Sequence, residues 1–82
     1  MKMSDFKDLK LEKQLSILHR QGIYVGKSKK SPYTRLLFQL ESFYIEITYM
    51  SYRSSIQKIH YTDSPSILEP YLEQIQVEYL VT

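Results

Sequence analysis

Residues 36–50 decide the fold: Leu36-Leu37-Phe38-Gln39-Leu40-Glu41-Ser42-Phe43-Tyr44-Ile45-Glu46-Ile47-Thr48-Tyr49-Met50. Aromatic and β-branched residues dominate the stretch, and such side chains pack well on a pleated surface. Glu41-Ser42 interrupts the apolar pattern. The stretch therefore reads as two strands, residues 36–40 and Phe43–Met50, joined by a hairpin. The loop lacks Asn-Gly or Asp-Gly, the strongest short-turn signal. A two-residue loop sets Leu40 opposite Phe43, Phe38 opposite Ile45 and Leu36 opposite Ile47. Successive side chains alternate across a sheet, so these six share one face, the expected core.

Towards the C-terminus, residues 51–55 read as a turn and Ile56–Thr62 as a further strand. The length of the turn sets which side chains point inward. An even loop would bring Lys58 and His60 beside the core, and a buried unpaired lysine is costly. An odd loop of three or five residues turns Ile59 and Tyr61 inward instead. His60 then faces Glu46 on the outer side, and Met50 is expected opposite Ile56. Beyond it, Asp63-Ser64-Pro65-Ser66 opens a helix. Ser66 and Glu69 have capping-box spacing, or Ser64 caps with Pro65 at the first helical position. Pro70 disturbs either start, because it lacks an amide and crowds the carbonyl four residues back. Regular helix is expected near residues 71–74, with Leu68, Leu72 and Ile75 as its apolar stripe. Residues 76–82 are read as a frayed or docked tail.

Towards the N-terminus, residues 23–27 alternate as a strand, and Lys29-Lys30-Ser31-Pro32 reads as a loop. Before them, Leu11, Leu15 and Leu18 make a helical stripe at i, i+4 and i+7. Asp8 suits its N-cap, since a carboxylate accepts from orphan amides of the first turn. His19 and Arg20 suit its C-terminal dipole, and Gly22 suits a left-handed stop. Phe6 and Leu9 fall off the stripe, so residues 1–7 are read as frayed or as a separate turn.

The expected architecture is one small α+β domain over residues 1–82, in the order α-β-β-β-β-α. It is a four-stranded antiparallel meander flanked by an N-terminal and a C-terminal helix, most simply on one face. A chain of 82 residues buries only roughly 60% of its unfolded surface, so its core is thin. The cysteine count is 0, which excludes disulfides, thiolate metal sites and a cysteine nucleophile. No apolar run is long enough to span a membrane. A formal net charge of +2 is too weak to name a polyanionic partner.

Catalytic patterns are sparse. Gly26-Lys27-Ser28 ends like a phosphate-binding loop, but Gly22 is one position too close and the motif lies in a strand. His19 and His60 have no partners at metal-ligand spacing. The His60–Glu46 pair has the elements of proton transfer, yet no nucleophile or oxyanion donor accompanies it. No cofactor is expected, and the chain reads as a non-enzymatic domain.

The outer sheet face carries the functional reading. Leu37, Tyr44, Glu46, Met50, Ile56 and His60 mix apolar, aromatic and charged groups there. Protein interfaces favour Tyr and Met. These residues are the expected interface, for a second copy of the chain or another protein. The bland alternative is a helix covering each face, which would make them ordinary core. The runner-up function is nucleic-acid binding. Lys27, Lys29, Lys30, Arg35, Arg53 and Lys58 would track phosphates while tyrosines stack on bases.

Two strings, Phe43-Tyr44-Ile45-Glu46-Ile47 and Leu68-Glu69-Pro70-Tyr71-Leu72, resemble segments of small bacterial proteins that are themselves functionally uncharacterised. The resemblance implies a free-standing, cytoplasmic bacterial protein and transfers no site residues.

Overall fold

The computed structural model describes residues 1–51 and 55–72. Four strands, β1 (Ile23–Lys30), β2 (Tyr33–Leu40), β3 (Phe43–Met50) and β4 (Ile56–Thr62), form one antiparallel sheet in chain order. Two helices precede them, α1 (Met3–Lys7) and α2 (Leu11–Gln21), and a 3₁₀ helix, Pro65–Tyr71, follows.

The central hairpin has the expected register. Leu40 pairs with Phe43, Phe38 with Ile45 and Leu36 with Ile47, around a two-residue loop. Glu41 takes φ 53, so the loop closes without the asparagine or glycine that usually serves there. The expected facing beyond it is also found, with Ile59 opposite Ile47, Tyr61 opposite Ile45 and His60 opposite Glu46. A bulge produces it rather than an odd loop, because Tyr49 pairs with Ile56 and the Met50 amide donates to the Ser55 carbonyl.

Ile56 departs from expectation. A register shift after Thr48 pairs Tyr49 with Ile56, which packs against the helix-side core. The extra residue, Gln57, flips everything on one side of the bulge to the opposite face. Ile56 thus leaves the outer face, and Met50 lies opposite Tyr33 instead. At the other edge, β1 runs on to Lys30, so Lys29 and Lys30 are strand residues and the loop is only Ser31-Pro32.

The main core lies between α1, α2 and the sheet. Phe6, Ile17, Leu18, Leu40, Phe43, Ile45 and Ile47 are all buried in it. Residues 1–7 are not frayed. Phe6 is 0% exposed, and its ring packs 5.8 Å from Phe43 and 6.1 Å from Tyr61 between centroids. Asp8 is the C-cap of α1, and α2 starts after Lys10 without a side-chain cap. Gln14, Ile17 and Leu18 are the buried residues of α2, Leu15 packs half-buried against the core, and Leu11 is exposed. Gln14 ties the two helices together. Its amide nitrogen donates to Phe6 O at 3.0 Å and Leu9 O at 3.2 Å, and its oxygen accepts from the Tyr61 hydroxyl at 2.8 Å. The Phe6 carbonyl also accepts from the Leu9 amide at 3.1 Å, so the Gln14 side chain reinforces the turn that links α1 to α2.

Gly22 ends α2 in extended backbone, φ −71 and ψ 145, rather than in the left-handed region. Its lack of a side chain matters for space. A Cβ there would lie 2.6 Å from the Leu18 carbonyl oxygen.

The C-terminal element lies on the opposite face, so the helical segments are split between the two sides of the sheet. Ser64 caps it, accepting from the Ser66 amide at 3.4 Å, with Pro65 at the start. Pro65–Tyr71 is 3₁₀, in keeping with the irregular start that Pro70 implies, and in this geometry residues three apart share a face. Leu68 and Tyr71 therefore point together, and Tyr71 is fully buried while Leu72 is exposed. Residues 73–74 of the expected helix, Ile75 of its stripe, and the tail at 76–82 lie outside the described residues.

Candidate functional site

Rows of paired residues define the outer face. Gln39, Tyr44 and Thr62 form one row, Leu37, Glu46 and His60 the next, and Arg35, Thr48 and Lys58 the third. The 3₁₀ helix covers the middle of this surface. The Tyr71 hydroxyl donates to Glu46 Oε2 at 2.8 Å. Leu37, proposed from sequence as an interface residue, is 0% exposed there. Burial raises the Tyr71 pKa well above its ordinary value, and the hydrogen bond and charge of Glu46 raise it further, with Arg35 opposing.

The remaining interface candidates are spread out. Tyr44, Glu46 and Met50 are half-buried and His60 is exposed. What stays open on this side is a polar groove of about 330 Å³. Arg35, Glu46, Thr48, Lys58 and His60 line its floor, and Ser66, Ile67 and Pro70 form its wall. It is not the apolar patch expected from the alternation.

The basic candidates do not gather on one surface either. Lys27 pairs with Leu36 and Lys29 with Thr34, which places both on the helix side of the sheet. Lys30 pairs with Tyr33 on the outer side, where Arg35 and Lys58 also lie. Arg53 is outside the described residues.

The apolar surface that remains open lies on the helix side. A groove of about 390 Å³ runs between α2 and the sheet. Leu15, Leu18 and His19 form its helical wall, and Leu36, Phe38, Ile47, Tyr49 and Ile56 form its floor. The i, i+4, i+7 spacing predicts Leu11, Leu15 and Leu18 as the core stripe. In the fold the core uses the adjacent line, Gln14–Ile17–Leu18, and leaves Leu15 as a groove wall. The double width of the apolar stripe was the available signal. Tyr71 carried no such signal, because its burial depends on 3₁₀ periodicity.

Among the described residues no group of three His, Asp or Glu side chains is placed to hold a metal ion. Nor is any helix there long and apolar enough to cross a membrane. Comparisons of the chain with protein-family models, curated proteins and solved structures found no match.

Proposed function

We propose that this protein is a small protein-interaction domain that binds an apolar, acidic segment of a partner protein in the groove between α2 and the sheet. One observation carries the reading: an open groove of about 390 Å³ lined almost wholly by leucine, isoleucine and aromatic side chains. Small monomers rarely leave a contiguous apolar surface without a use. The surface expected from sequence, centred on Tyr44 and Met50, supports docking less well, because those two are half-buried and the 3₁₀ helix buries Leu37 of the same face.

Charge selects the partner. Among the described residues lining the groove there is no carboxylate, and His19 is one of them. Lys29 stands on the same side of the sheet at its edge. A two-fold pairing of copies through this patch would bring the basic groups of both copies into one interface without adding a carboxylate from its lining, since such an interface presents the same patch twice. A segment with aspartate or glutamate beside its apolar anchors meets them favourably. On the resemblance of residues 43–47 and 68–72, its setting is the bacterial cytoplasm.

Peptide display against the full chain tests this. Enriched peptides are expected to combine large apolar residues with Asp or Glu. Leu15→Asp is expected to weaken them by about tenfold or more, the value of one well-buried leucine. Lys29→Glu, at an exposed site, should favour lysine-bearing peptides instead. Enrichment unaffected by either substitution would remove the groove as the site. A concentration-dependent dimer abolished by Leu15→Asp would give the groove to a second copy and overturn the acidic-partner reading.

A further inference from the structure

The polar groove on the opposite face has a different chemistry. Arg35 and Lys58 lie on the two strands flanking β3, each paired with Thr48. Two strand spacings separate their backbones by roughly 9–10 Å. Both residues line the same groove, with Thr48 between them in the strand pairing and Ser66 on the wall. Among the described residues neither Arg35 nor Lys58 makes a side-chain hydrogen bond or an ion pair. Glu46 is the carboxylate among the residues lining that groove, and one of its oxygens already accepts from Tyr71. His60 stands opposite Glu46.

We propose that this groove is a binding site for a tetrahedral oxyanion, phosphate or a small phosphate monoester, held between Arg35 and Lys58 over Thr48. An arginine fork and a lysine ammonium converging from two sides supply charge-assisted donors along different directions. A tetrahedral anion accepts along several directions at once, which a planar carboxylate does less well. The threonine and serine hydroxyls add neutral donors that rotate to suit. Glu46 opposes the anion, so the site is tuned below its possible strength. This proposal is independent of the apolar groove, which lies on the other side of the sheet.

The test is a two-dimensional amide NMR titration of the full chain at constant ionic strength. Inorganic phosphate and glycerol phosphate are the probes, with acetate as the control. Saturable shifts at Thr48 and Ser66 are expected for the phosphates, with Kd on the order of millimolar. The tighter of the two identifies free phosphate or a monoester as the source. Arg35→Gln and Lys58→Gln, both at exposed positions, should each weaken binding about tenfold, the value of one charge-assisted contact. Glu46→Gln should strengthen it. Three results would overturn the proposal: no saturation, shifts equal to those from acetate, or unchanged binding in both the Arg35 and Lys58 variants.

Discussion

Phe6→Ala is expected to lower the free energy of unfolding by about 3–5 kcal/mol, the usual cost of emptying a large aromatic site. The ring is fully buried and meets Phe43 and Tyr61 edge-on or tilted. Such aromatic pairs add to simple area burial. Collapse around the vacated space is restricted, because Gln14 holds the Phe6 and Leu9 carbonyls in place. A chain this short has a total stability on the order of 4–12 kcal/mol. The substitution therefore removes a large part of it, and urea denaturation followed by circular dichroism reads the change directly. A shift of under about 1 kcal/mol, the level of an ordinary surface change, would mean that residues 1–7 do not close the core.

Tyr71→Ala is expected to cost about 2–4 kcal/mol, because it removes a fully buried ring and uncovers Leu37. Tyr71→Phe separates the two parts of the effect. It keeps the ring and loses only the hydroxyl bond to Glu46, a contact to a charged group worth about 1.5–3 kcal/mol. The phenol also sets an alkaline limit. Its pKa is raised in the folded state, so below about pH 10 both states keep the proton and the stabilisation is complete. Above that, the unfolded chain releases the proton first and stability falls as pH rises. Tyr71→Phe should flatten that fall. An identical alkaline profile in wild type and variant would show that Tyr71 is not held as described.

Legibility in the sequence followed periodicity. The hairpin 36–50 could be read in full, because two strands with the same parity constrain each other through a two-residue loop. The facing of Ile59 and Tyr61 could also be read, since burying Lys58 is too costly, although a bulge and not an odd loop delivers it. Ile56 could not be placed: one inserted residue, Gln57, reverses parity, and nothing in its neighbours marks the bulge. The helix α1 is five residues long, too short to display a stripe. Tyr71 escaped for a related reason, because Leu68, Leu72 and Ile75 fit an α-helical period that the 3₁₀ segment does not follow. Two of these departures, at Tyr71 and Ile56, move the proposed docking surface. The outer face gained a cover that had not been foreseen, and the helix side gained Ile56. The proposed interaction surface is therefore the open apolar groove on the helix side of the sheet.

That placement rests on two adjacent leucines. Leu37 is fully buried beneath the 3₁₀ helix, whereas Leu36 lines the open apolar groove. Methyl NMR with a soluble paramagnetic agent compares them in one sample. Stronger broadening of the Leu36 and Ile56 methyls, with Leu37 protected, is the predicted result. Broad Leu37 methyls beside sharp Leu36 and Ile56 signals would contradict the account.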